Sequence, residues 1–165
     1  MKSEGSSPHE KLMGSQEPSA RITPEYIHTD GEDAVKILAA GRLFVDPWQE
    51  GVLHDWMGRT EEEIWSAPTC GLSVPRQNGK TLDTSGRIAS GMVMYAEWIV
   101  YTAHLQKTAT ETFMELKGLF ESRGLKKYVK EIKTALGREQ IILKNGGRVV
   151  FVARTRNGGR GLHGD

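Results

Sequence analysis

The sequence predicts an α/β domain with a mainly parallel sheet, flanking helices and one antiparallel hairpin. Apolar β-forming runs alternate with segments of helical periodicity, in the order 70–74, 80–95, 97–103 and about 105–122. This strand–helix–strand–helix order predicts parallel pairing through right-handed crossovers. Two later apolar runs, 140–143 and 148–152, flank an Asn-Gly turn, which is the pattern of a hairpin that extends the sheet.

The preceding part of the chain predicts a leader and two helices. Residues 1–20 are rich in Ser, Gly, Glu and Pro, so we expect a disordered leader, followed by one domain over residues 21–165. A first helix is expected from about Asp30 to Ala40, ended by Gly41. Pro47 is expected to begin a second helix.

Charge is unevenly distributed along the chain. The net charge is +1, but from Arg123 to Asp165 eleven basic residues stand against three acidic ones, which leaves −7 on the remainder. This asymmetry fits either a surface that faces a polyanion or an ordinary solvated basic face. The single cysteine, Cys70, excludes an intramolecular disulfide and is expected to be buried. No apolar run is long enough to span a membrane, and no signal peptide is apparent, so we expect a soluble intracellular protein.

A phosphate-binding motif is the most informative stretch. Val-Pro-Arg-Gln-Asn-Gly-Lys-Thr at residues 74–81 keeps the spacing of G-x-x-x-x-G-K-[ST], with Val74 in place of the first glycine. In such a loop, backbone N–H groups point at phosphates, the lysine reaches the β- and γ-phosphates, and the hydroxyl coordinates Mg²⁺. The alternative is a Gly-Lys-Thr turn without a ligand. The candidate residues for ATP are Pro75, Arg76, Gln77, Asn78, Gly79, Lys80 and Thr81, with Thr81 as the metal ligand.

The same stretch resembles the deviant Walker A motif of phage terminase large subunits, in which an arginine commonly lies inside the P-loop, as Arg76 does here. The resemblance implies a RecA-like (ASCE) P-loop NTPase and an ATPase that packages double-stranded DNA into a procapsid. It also implies a terminase small subunit and a portal as partners, a homo-oligomer and the host cytoplasm. The resemblance implies two catalytic residues, Arg76 and Lys80, of which Arg76 would stabilise charge on the γ-phosphate.

Three other segments look like elements of that family. Pro-Trp-Gln before an apolar helix is similar to its adenine motif, so Gln49 is expected to bind the adenine edge; an ordinary polar helix start is the alternative. Ala103, Gln106 and Thr108 loosely resemble the element that couples nucleotide to DNA. Residues 160–165 resemble the segment before the Walker B strand, or are a disordered tail.

The resemblance covers most of residues 43–165 and stops before Walker B, whose Asp-Glu pair and the following nuclease domain are not in the sequence. We therefore expect an incomplete ATPase domain with an open core, an unpaired sheet edge and nucleotide binding at best, with another chain as one source of the missing half. One alternative is a helicase-like P-loop motor. The other is a non-catalytic fragment that binds DNA or a partner.

Overall fold

A computed structural model describes residues 14–154, which form four α-helices, six β-strands and one 3₁₀ turn. In chain order these are β1 (His28–Thr29), α1 (Gly31–Ala40), α2 (Pro47–Trp56), β2 (Gly58–Arg59), α3 (Lys80–Tyr95), β3 (Trp98–Ala103), α4 (Gln106–Glu121), the 3₁₀ turn (Lys126–Tyr128), β4 (Val129–Lys133), β5 (Gln140–Leu143) and β6 (Arg148–Ala153). All four predicted helices are confirmed. None of the described helices is long and apolar enough to cross a membrane.

The main sheet has four strands in the order β3-β6-β5-β4. β3 and β6 are parallel, with Trp98 opposite Arg148 and Ala103 opposite Ala153, whereas the β5–β6 and β4–β5 pairs are antiparallel. The predicted hairpin across the Asn-Gly turn is therefore confirmed. The prediction of a mainly parallel sheet is wrong, because the sheet is mixed and contains one parallel pair.

The predicted strand before the P-loop is also wrong. Residues 70–74 pair with no strand of the described chain, and β3 is left at the edge of its sheet. A strand exists only where a neighbour satisfies its backbone groups. Leu72 and Val74 are half-buried while Gly71 and Ser73 are exposed, so the segment lies along the surface. Cys70 is exposed, which contradicts its predicted burial.

The hydrophobic core joins the helices to the sheet. α1, α2 and α3 pack together, and α4 covers β3 and β6 with the apolar stripe that its sequence predicts. Phe113 packs edge-on against Phe151 of β6, with ring centroids 5.4 Å apart. Leu105, the first residue of the predicted stripe, is 55% exposed because it precedes the helix.

Gly86 lets the three N-terminal helices approach closely. A Cβ atom there would lie 2.9 Å from Leu38 Cδ1 of α1 and 3.1 Å from Leu53 Cδ2 of α2. These distances are tighter than ordinary van der Waals contact, so a larger side chain would push the helices apart. The glycine costs helix propensity but permits the packing that holds the start of α3 against α2.

A buried arginine fastens the short β1–β2 ribbon to the end of α3. The Arg59 guanidinium lies over the rings of Trp65 and Tyr95, 3.7 Å and 4.3 Å from their centroids, and the two rings meet edge to face. It donates to the Glu63 carbonyl at 2.6 Å and pairs with Asp30 at 3.3 Å, and the Tyr95 hydroxyl also bonds to Asp30. The segment between Arg59 and Trp65 is a tight turn that supports this stack.

Candidate functional site

The candidate P-loop, residues 74–81, lies toward the end of the sheet where the parallel strands finish. Only Ala96 and Glu97 connect α3 to β3, so the helix runs antiparallel to the strand. The α3 N-terminus at Lys80 is therefore directed toward the ends of β3 and β6 at Ala103 and Ala153. In open α/β sheets, ligands bind outside the carboxyl ends of the strands.

The loop turns sharply before the helix begins. Gln77 and Gly79 have φ values of +66° and +74°, and Gly79 is the N-cap of α3, whose carbonyl accepts the Leu82 N–H at 2.8 Å. Left-handed backbone suits glycine at this position. The N–H groups of Lys80 and Thr81 are in the first turn and have no intrahelical acceptor, so they are available to an anion.

The two cations of the loop are open to solvent. Arg76 and Lys80 are exposed, and no carboxylate in the range 14–154 lies within ion-pairing distance of either. The Thr81 hydroxyl is half-buried beside them on the first turn. Lone cations, free N–H groups and a hydroxyl at one helix start are the donor set that a Mg²⁺-bound triphosphate requires, so these residues fit the predicted cofactor.

Gln49 connects the second helix to the P-loop. Its Oε1 accepts the Asp46 N–H at 2.9 Å, and its Nε2 donates to the Gly79 carbonyl at 3.1 Å. The side chain is 3% exposed. Its described contacts are thus to protein, and adenine recognition stays a prediction. The Asp-x-x-Gln spacing of a helix capping box was the sequence signal for the first of these contacts.

Asp83 is a further functional candidate that lies just outside the phosphate-binding motif. It lies in the first turn of α3, is 0% exposed, and neither of its carboxylate oxygens makes a hydrogen bond of acceptable geometry within the described chain. Burial raises the pKa of Asp83 to about 7, and the neighbouring Gln49 amide opposes that shift only in part. The sequence does indicate this burial, because Asp83 is spaced to lie on the same face of α3 as Gly86 and Ser90, which is the packed face of the helix.

The predicted coupling element contacts a second buried carboxylate, that of Glu139. Gln106 begins α4, directly after β3, and its Nε2 lies 3.4 Å from both Glu139 carboxylate oxygens. The Thr110 hydroxyl donates to Glu139 at 2.8 Å, and Glu139 is 1% exposed. Ala103 is buried and Thr108 half-buried at the same strand end. Nothing in the sequence indicated that Glu139 would reach α4.

The structure therefore brings Gln49, Gly79 and Asp83 together at the start of α3. It places Gln106 and Glu139 at the start of α4. The predicted segment 160–165 lies outside the described residues, as does most of the predicted leader. Among residues 14–154 no group of three or more His, Cys, Asp or Glu side chains is arranged to hold a metal ion.

Comparisons with protein-family models, with characterised proteins and with solved structures found no match to this chain. The terminase resemblance therefore rests on the residues and motifs of the sequence alone.

Proposed function

We propose that residues 75–81 bind the phosphates of ATP with Mg²⁺, and that the chain is the N-terminal ATPase part of a phage terminase large subunit. One observation gives the main support for a nucleotide site at this loop. The loop ends in left-handed Gly79 at the start of a 16-residue helix, whose first residue, the exposed Lys80, has no carboxylate partner among residues 14–154. A helix start of this kind concentrates positive potential where phosphates bind.

Each residue has a defined part in this proposal. Lys80 holds the β- and γ-phosphates, and Thr81 offers its hydroxyl to the metal ion. Arg76 stabilises negative charge at the γ-phosphate. Gln49 holds the Gly79 carbonyl in place and, by the resemblance, contacts the adenine. The bound Mg²⁺ supplies charge neutralisation of the phosphates.

For this chain the proposed activity is nucleotide binding. Hydrolysis also needs a carboxylate that holds the metal and a group that positions water, and none of the described residues is assigned to either task. Packaging of double-stranded DNA into a procapsid, the small subunit and portal as partners, and assembly into a homo-oligomer rest on the family resemblance. A helicase-like P-loop motor is the alternative within the same class.

The test is binding of a fluorescent ATP analogue in the presence of Mg²⁺. We expect Lys80→Ala to weaken binding by at least about tenfold, which corresponds to about 1.4 kcal/mol. Lys107→Ala is a matched control, because Lys107 is an exposed lysine in the first turn of α4 and pairs with Glu111 at 3.9 Å. A folded wild-type chain that does not bind the analogue, or equal binding by both variants, would show that the loop is not a nucleotide site.

A second candidate function is non-catalytic binding of DNA or a partner protein. It is favoured by a group of exposed lysines, far along the chain from the candidate P-loop, that have no carboxylate partner in the part of the chain that the structure describes. The same analogue measurement separates the two candidates, because a binding fragment of this kind needs no nucleotide.

A further inference from the structure

The lysines of the described chain divide into two groups. Four of the nine lie within 4.0 Å of a carboxylate, namely Lys36, Lys107, Lys117 and Lys133. Of the five that do not, one is Lys80 in the P-loop. The other four, Lys126, Lys127, Lys130 and Lys144, are all exposed and are called here the lysine cluster. Exposed ammonium groups that gather in one region without neutralising carboxylates indicate a surface for a polyanion.

Backbone contacts at one end of the sheet bring the residues of the lysine cluster close together. The 3₁₀ turn carries Lys126 and Lys127, and Lys130 is the extra residue of a β-bulge at the start of β4. Lys144 lies in the β5–β6 turn, where its N–H donates to the Tyr128 carbonyl at 2.9 Å and its Nζ to the Lys127 carbonyl at 2.7 Å. These contacts bring the two segments side by side.

The hairpin turn is anchored to α3, which gives the surface a rigid base. Asn145 donates to the Met92 and Val93 carbonyls at 2.9 Å and 3.1 Å and accepts the Gly147 N–H at 3.0 Å. Met92 lies twelve residues after Lys80, which is about 18 Å along a helix. The lysine cluster is therefore at the other end of α3 from the P-loop and is a separate surface.

We propose that the lysine cluster binds the phosphate backbone of double-stranded DNA without reading its sequence. The choice of DNA as the polyanion rests on the proposed function. Lysines are suited to phosphate contacts, which position a duplex but carry no base information. Single-stranded nucleic acid is favoured by open aromatic rings on which bases stack. Here the Lys127 ammonium lies over the Tyr128 ring, 4.9 Å from its centroid, so this ring face is already covered.

The test is fluorescence anisotropy of a labelled duplex of about 20 base pairs, measured between about 50 and 200 mM salt. The variant K126Q/K127Q/K144Q removes three cluster charges. The matched control K36Q/K107Q/K117Q removes three charges from lysines that are paired with carboxylates. Because each phosphate contact contributes about 0.9 to the salt slope, the cluster variant should lower that slope by about 2.7 and weaken binding at least tenfold. The control should stay within about threefold of the wild type.

Three results would overturn the inference: no DNA binding by the wild type, equal losses in both variants, or binding only to vesicles that contain anionic lipid. The ATP analogue, measured on the same proteins, separates the two proposals. A DNA loss confined to the cluster variant supports the inference whether or not the analogue binds. If the analogue fails to bind in that case, the proposed nucleotide site alone is refuted.

Discussion

Replacing Asp83 with asparagine tests whether a buried carboxylate beside the P-loop opposes folding at neutral pH. The folded-state pKa is raised from 3.8 to about 7 by burial. Protonated Asp83 does not oppose folding, so the folded state keeps its full stability below about pH 4. That stability is lost as the pH rises through about 7, because the buried group ionises. A shift of about three pKa units corresponds to about 4 kcal/mol, which is the cost of holding the ionised carboxylate in the folded state.

The assay is urea unfolding followed by circular dichroism at several pH values. Relative to Asp83→Asn, the free energy of unfolding of the wild type should fall by about 1.4 kcal/mol per pH unit between about pH 5 and 7. Asparagine has nearly the same shape and does not ionise. Asp33→Asn is the control, because Asp33 is an exposed carboxylate in the first turn of α1, and this variant should keep the pH slope of the wild type.

The pH dependence of the free energy of unfolding decides the outcome. An asparagine amide left without a full set of hydrogen bonds would cost a constant amount at every pH and would not change the slope. If Asp83→Asn retains the pH dependence of the wild type between about pH 5 and 7, the reasoning about its burial is wrong.

Two further substitutions probe the packing around α3. Arg59→Lys should lower the free energy of unfolding by about 1–2 kcal/mol, because an ammonium group cannot keep both the contacts with the Trp65 and Tyr95 rings and the hydrogen bond to the Glu63 carbonyl; an unchanged melting temperature would contradict this. Gly147→Ala should cost about 1–3 kcal/mol in chemical unfolding, because a Cβ there meets a backbone carbonyl of α3. Gly51→Ala is its control: nothing lies within 4 Å of the added Cβ, so equal destabilisation by both changes would refute the contact argument.

Local signals account for the features that were predicted correctly. Pro47 marks the start of α2 through its own backbone preference, and the Asn-Gly turn at Asn145 favours the hairpin in the same way. The helix that begins at Lys80 was likewise predicted from adjacent residues, and left-handed Gly79 leads directly into it. None of these features depends on a distant part of the chain.

The sequence by itself determined the helices, the hairpin and the candidate phosphate loop, because each depends on the preferences of neighbouring residues. Only the tertiary structure decided that residues 70–74 are not a strand, since strand formation requires a partner elsewhere. It also decided that Gln49 reaches Gly79 and that Asp83 is buried beside the Gln49 amide. Burial and pairing follow from how α2 and α3 pack together, and that packing is a property of the whole domain.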